Sequence, residues 1–386
     1  SLMIWYQMLN THLLSMPDHG LFDALRLAHT RYDPKTSILK NHDWSETAYY
    51  STLIRNIRTI APRLCQAPKP GCIIGLYLPS DCFFVATLFA CFKAEFVACP
   101  ISPWEENTKA FKHLIHCAPT TIVTNRNLEP AVQKHLQTFT AHIEIRTVED
   151  ILEGKYPSKR CASHNTPADA PCLLLPSQYA SKPLLYYQKA LYYHATQIAL
   201  LSDFRGEDIV YHAAGCYSLF GIVMGLLHPL LHGIRIFIET KPLSSQQRLF
   251  IWDESFASIL VCQSTLLEEE IEAAGDIKTQ FIRRIFTTNL DLTSPLALRW
   301  ETSAHALVLS CYQSDTNAPI ICMHTLQTLF SAKSSLGILL PGSTLSGSHY
   351  PPSSTRPVSA LSGAHAPSLA FKMVSGSVQY LQKKST

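Results

Sequence analysis

The residues best suited to chemistry form a short polar stretch, Ser177-Gln178-Tyr179-Ala180-Ser181-Lys182, between an apolar run at 172–175 and a helix-like pattern at 188–201. In α/β proteins a phosphate is usually held where a strand gives way to a helix, because backbone N–H groups and the helix dipole converge there. Two serine hydroxyls and one ammonium are suitable partners for such an anion. The stretch contains no glycine, so it lacks the residue that most easily brings backbone N–H groups close to a phosphate at positive φ. Two other groupings have metal-ligand character. His228 and His232 stand four residues apart and could face one ion from a helix. His113, His116 and Cys117 form a similar cluster, with no fourth ligand nearby in sequence. Both groupings lie in patterns that packing accounts for without a metal. No Gly-x-Ser-x-Gly elbow is present, which argues against a serine hydrolase.

The elements that must position these residues alternate along the chain. Residues 21–28 place Leu21, Ala24, Leu25 and Ala28 on one helical face. Ser45 is the expected N-cap of a helix running to about residue 64. Strand patterns at 72–78, 97–99, 120–124 and 142–146 alternate with helical ones at 81–95, 104–117 and 128–137. Residues 155–171, with three prolines, read as a linker. The alternation then resumes with strands at 172–175, 208–212, 234–238 and 258–262 and helices at 188–201, 219–231, 243–252 and 265–274. Residues 281–286, 295–302, 306–309 and 320–323 complete the series. The fold class expected is α/β, with two stacked βαβ subdomains and parallel sheets. The expected division is 1–170, 171–342 and 343–386. The last part is a Ser/Pro-rich segment ending in a hairpin around Ser375-Gly376-Ser377.

Composition narrows the classes further. With 47% apolar and 16% charged residues, the 386-residue chain is globular, and a net charge of +3 gives no reason to expect a nucleic-acid partner. The twelve cysteines form no Cys-x-x-Cys pair and sit in apolar runs, as free thiols of a reducing cytoplasm do. No basic segment precedes an apolar one at the start, so no secretory signal is expected. The apolar stretches 72–100 and 219–238 carry prolines and charges, so no membrane span is expected.

Several motifs together resemble a known family. They are Ile73-Ile74-Gly75-Leu76-Tyr77-Leu78-Pro79-Ser80, Val97-Ala98-Cys99-Pro100, the run from Gly221 to Gly233, Ser264-Thr265-Leu266-Leu267-Glu268 and Gly337-Ile338-Leu339-Leu340-Pro341-Gly342. They resemble the large N-terminal domain of the adenylate-forming enzymes, which include acyl- and aryl-CoA synthetases, luciferases and peptide-synthetase adenylation domains. The resemblance covers about residues 21–342, and it implies that residues 343–386 are a remnant of a third, β-rich subdomain. It does not reach the family's ribose-binding aspartate, its hinge or the C-terminal domain with its catalytic lysine.

The resemblance implies ATP and Mg²⁺ as cofactors if the protein is active. A small fatty or aryl carboxylic acid is the implied substrate, with CoA or an acyl-carrier protein as acceptor. Carried over residue by residue, the phosphate loop falls on residues 177–185, where Ser177 and Pro183 match. Leu184 replaces the lysine, and Lys182 stands two residues away. The adenine-contacting turn falls on Thr287-Thr288-Asn289-Leu290. The Tyr-Gly-x-Thr-Glu motif falls on Tyr312-Gln313-Ser314-Asp315-Thr316, so Thr316 replaces the magnesium-binding glutamate and Asp315 is the neighbouring carboxylate. The nucleotide-contacting set is then Ser177, Lys182, Thr288, Tyr312 and Asp315, with Asp315 also the metal candidate. Ser218, Phe220, Gly221, Val261 and Thr287 are the expected acyl-pocket residues. Tyr179 and Leu184 are expected to fill space a triphosphate would use. Three readings follow: a degenerate homologue that binds an acid without normal activation, a working or half-working ligase, and a truncated or decayed product without selected activity.

Overall fold

A computed structural model of the protein describes residues 20–33, 35–66, 69–105, 107–137, 143–159, 167–176, 183–274, 277, 279–313, 320, 322–325, 338–339, 343–345, 369–374 and 377–382. The chain starts with helix α1 (Leu21–Arg31), strands β1 (Leu39–Asn41) and β2 (Thr47–Ala48), and helix α2 (Tyr50–Ile60). There follow β3 (Ile73–Tyr77), α3 (Cys82–Lys93), β4 (Val97–Ile101), α4 (Asn107–His116), β5 (Thr121–Thr124), α5 (Glu129–Leu136), β6 (Glu144–Thr147) and α6 (Val148–Leu152). Strands β7 (Pro171–Leu175) and β8 (Leu184–Tyr187) lead to α7 (Gln188–Ser202) and β9 (Ile209–His212). A π-helical stretch (Gly221–Leu227) continues into α8 (His228–Leu231). Then come β10 (Arg235–Ile238), α9 (Ser245–Glu254), β11 (Ile259–Val261), α10 (Ser264–Ala274), β12 (Arg284–Thr288), α11 (Pro295–Ser303) and β13 (Leu307–Tyr312). Short strands β14 (Cys322–Met323), β15 (Ile338–Leu339), β16 (Ser343–Leu345), β17 (Leu369–Val374) and β18 (Ser377–Gln382) follow.

Two parallel-dominated sheets carry the fold. The first is ordered β6-β5-β3-β4-β7-β8 and the second β15-β14-β13-β12-β11-β9-β10-β1-β2. The sheets exchange strands across residue 170: β1 and β2 extend the second sheet beside β10, while β7 and β8 complete the first. Helix α3 is apolar all round, and residues 82 and 84–92 are buried, as its place between layers requires. It shares one continuous core with α1, α7, the π-helical stretch and facing strands of both sheets. Strand alternation gives the first sheet a second apolar face. There Tyr77, Val97, Cys99 and Ile101 meet Phe111 and Leu114 of α4 and Val132 of α5. Among the described residues no helix is long and apolar enough to cross a membrane.

Two local expectations are corrected. Ser45 does not cap a helix; its hydroxyl donates to Asp43 Oδ1 at 2.6 Å in the turn of the β1–β2 hairpin, and α2 begins at Tyr50. Backbone pairing from Ile38 to Ala48 and from Asn41 to Glu46 holds that hairpin, and the resulting edge strand outweighs the helical pattern. Residues 184–185 are not loop. Leu184 and Leu185 pair antiparallel with Leu175 and Leu174, as part of β8. Residues 343–345 form a strand pairing parallel to β18, and β17 and β18 form the antiparallel pair expected around residues 375–376.

Candidate functional site

In the second sheet β9 is followed by β10 on one side, and the chain then returns to β11 on the other. Such a reversal opens a crevice outside the carboxyl ends of the two strands, the usual ligand position in open α/β sheets. The loop leaving β9 crosses to the end of β11 at this edge. Its Ala213 and Ala214 N–H groups both donate to the Val261 carbonyl, at 2.9 and 3.0 Å. Gly215 takes φ +69°, and a Cβ on Gly221 would lie 1.8 Å from its carbonyl oxygen, so only glycine allows this loop to close on the π-helical stretch. Cys216 N–H donates to Ser80 Oγ at 3.0 Å and the Tyr217 hydroxyl to the Leu78 carbonyl at 2.7 Å. The carboxyl end of β3, in the first sheet, is thereby fastened to the same place.

Neutral hydrogen bonds link the walls of the crevice. Thr288 Oγ1 donates to Gln263 Oε1 at 2.9 Å, Gln263 Nε2 donates to Ser218 Oγ at 3.4 Å, and Gly221 N–H donates to the same oxygen at 3.1 Å. Ser218 Oγ therefore accepts two bonds, and its own proton is the position these bonds leave. Next to this chain Asn289, at φ +49°, donates its N–H to the Cys311 carbonyl, and its Oδ1 accepts from Gln313 N–H at 2.8 Å. The Tyr312 hydroxyl donates to the Leu290 carbonyl at 3.0 Å, and Leu290 N–H to Ser310 Oγ at 2.8 Å.

The structure brings Ser218, Gly221, Thr288 and Tyr312 to the carboxyl edge of β11–β13. Phe220, Val261 and Thr287 are there too, but each is completely buried and packs the core beneath the crevice. Ser177, Lys182 and Asp315, with Tyr179 and Thr316, lie outside the described residues. A surface cavity of about 890 Å³ lies elsewhere, between α1 and α2, lined by Arg26, Arg55, Arg58 and Arg63 among others. It contains none of the expected pocket residues.

Gln263 and His212 were not anticipated from sequence. Gln263 immediately precedes the Ser264-Thr265 helix start, which is the only sequence signal for it. His212 ends β9 fully buried, with Nε2 3.4 Å from Cys216 Sγ and Nδ1 without a hydrogen-bond partner. Its ring occupies the space where a Cβ on Gly225 would fall, 2.3 Å from Nδ1, and burial pushes its pKa down to about 3. Tyr211 points to the opposite face of the strand. There its hydroxyl bonds Glu239 at 3.0 Å, and Arg248 joins Glu239 and Glu270 in a buried ionic cluster. The His228–His232 pair is committed to packing. His228 Nε2 meets Ser202 Oγ at 2.9 Å, and His232 Nδ1 lies 2.7 Å from the His228 carbonyl oxygen and 3.3 Å from its Nδ1.

No family model matches the sequence. Solved structures do match its fold. An anthranilate CoA ligase, AuaEII, in complex with anthranoyl-AMP superposes with a TM-score of 0.73 at 13% identity, over 86% of this chain and 65% of that one. A benzoate CoA ligase from Burkholderia xenovorans LB400 gives 0.71 at 16% identity, over 84% and 66%. The N-terminal domain of FACL13 from Mycobacterium tuberculosis gives 0.72 at 12% identity, over 83% and 82%. The chain thus resembles the N-terminal domain of adenylate-forming acyl- and aryl-CoA ligases over most of its length, and spans about two thirds of the two full ligases. The shared property is the mixed α/β fold with two parallel-dominated sheets.

Proposed function

We propose that this chain is a degenerate form of the adenylate-forming scaffold, which holds a small fatty or aryl carboxylic acid at the β9–β11 crevice and does not activate it with ATP in the ordinary way. The observation that carries the reading is the closed, neutral bonding at the crevice. The Thr288 hydroxyl is committed to Gln263 and the Tyr312 hydroxyl to Leu290, while Asn289 bonds Cys311 and Gln313. These bonds commit the Thr288 and Tyr312 hydroxyl protons within the protein rather than to a nucleotide. Where the family's turn is small and glycine-rich, this chain has side chains whose polar atoms bond within the protein, and exchanging such bonds for a ligand brings little net gain.

A carboxylic acid asks for less. The Ser218 proton offers one donor at the carboxyl edge of β11, above the buried apolar side chains of Phe220 and Val261. Apolar recesses with one or two oriented polar groups suit acids of this size. The acids named for similar structures, anthranilate and benzoate, belong to the aryl class. A cytoplasmic setting, and CoA or an acyl-carrier protein as a partner, complete the proposal.

Calorimetric titration of the full chain with ATP–Mg²⁺, and separately with benzoate, anthranilate and medium-chain fatty acids, tests it. Acid binding without nucleotide binding is the expected result. Nucleotide binding, or no acid binding across the panel, counts against it.

A further inference from the structure

A second cluster lies on the outer face of the first sheet, away from the crevice. Cys99 projects from β4 toward α4, next to Val97 and Ile101, and is completely buried. His113 in the last turn of α4 and Cys117 just beyond it come down on Cys99 from above, His113 half-buried and Cys117 buried. The sulfur and ring-nitrogen ligand atoms of the three residues all lie within 4.8 Å of one another, and Cys117 Sγ is 3.6 Å from His113 Nε2.

That geometry can be compared with a coordination sphere. Zn–S bonds of about 2.3 Å and Zn–N bonds of about 2.0–2.1 Å, meeting at a tetrahedral angle, place S and N about 3.6 Å apart and two sulfurs about 3.8 Å apart. The observed S···N separation is already that edge, and small side-chain rotations close the rest. The approach has a backbone cause. Gly75 pairs with Cys99 across β3 and β4, and a Cβ on Gly75 would lie 2.6 Å from Leu114 Cδ1. Glycine at that position lets α4 settle low enough on the sheet for His113 and Cys117 to reach Cys99. Four-residue spacing places His113 and Cys117 on the same helical face. His116, their neighbour in sequence, is exposed.

We infer that Cys99, His113 and Cys117 form a binding site for a thiophilic divalent ion, Zn²⁺, with water as the fourth ligand on the solvent side of His113. Two sulfurs and one imidazole are a donor set that favours zinc over magnesium or calcium. The ion ties α4 to β4, where Phe111 and Leu114 of α4 otherwise pack in the apolar cluster on this face of the sheet.

The test uses the full chain, reduced, stripped with a chelator and titrated with Zn²⁺ against a chromophoric competitor. Co²⁺ substitution reports thiolate coordination by its charge-transfer absorption. One Zn²⁺ per chain is expected, with thiolate-to-cobalt absorption that disappears in C99S and C117S. H113Q removes a direct ligand, so its affinity loss should exceed the roughly 10–100-fold that losing an outer-shell partner costs. Circular dichroism separates this from misfolding, and H113Q alters only a half-buried side chain. Sub-stoichiometric binding by the reduced protein, or equal affinity in wild type, C99S and C117S, overturns the inference. So does a Co²⁺ spectrum without thiolate character.

Discussion

Acid should weaken this fold through histidines that it buries neutral, and His212 allows the effect to be isolated. Its ring is fully buried, its Nδ1 has no partner, and its pKa is pushed down to about 3. In the unfolded chain the same group titrates near 6.5. A base with a depressed folded pKa contributes stability that is complete above the unfolded pKa and is lost as pH falls toward the folded one. Between pH 7 and pH 5 the loss from one such histidine is about 1.9 kcal/mol. His194 behaves alike: burial lowers it to about 4, and its Nε2 accepts the Ile320 N–H at 3.0 Å, so protonation there would set two donors against each other. Chemical denaturation of wild type and His212→Gln at both pH values isolates the effect, because other titrating groups cancel in the difference. The variant should lose about 1.9 kcal/mol less than wild type on acidification. His194→Gln should behave similarly. Parallel pH dependence in wild type and His212→Gln would show that the folded protein protonates this ring, refuting the claim that it is buried neutral.

Other perturbations have definite expected outcomes. Arg248→Met leaves Glu239 and Glu270 as buried carboxylates without their cation, and thermal denaturation should show a loss of about 3–5 kcal/mol. Adding Glu239→Gln and Glu270→Gln should restore most of it. Gly221→Ala drives a Cβ into the Gly215 carbonyl and should abolish folded yield. Gly206→Ala, with no atom within 4 Å of the new Cβ, should stay within about 0.5 kcal/mol of wild type. Gln263→Leu cuts the Thr288–Ser218 link and should weaken acid binding roughly tenfold, read by calorimetry, while leaving the secondary structure intact.

Most of the scaffold could be read from local pattern. The apolar run at 72–78 contains β3, and the segment at 82–92, apolar but for Thr87, is α3 between two layers, because burial all round leaves nearly continuous hydrophobic runs. The strands β1 and β2 escaped notice because they are two or three residues long and β1 owes its place to β10, nearly two hundred residues away. Residues 184–185 read as the end of a loop in sequence because their strand character comes from pairing with β7. The same limit applies to the sites. Gln263 is one amide among polar residues until β12 places Thr288 beside it. Cys99 reads as a core thiol until α4 brings His113 and Cys117 over it. Residues that act together but lie far apart in sequence leave no local signature.

The central claim is that the crevice binds an acid without adenylating it. Release of inorganic pyrophosphate from ATP–Mg²⁺, measured over the acids that bind in calorimetry, tests this most directly. No release above the protein-free background is expected for any acid that binds. Acid-dependent pyrophosphate release, abolished by Ser218→Ala, would contradict it.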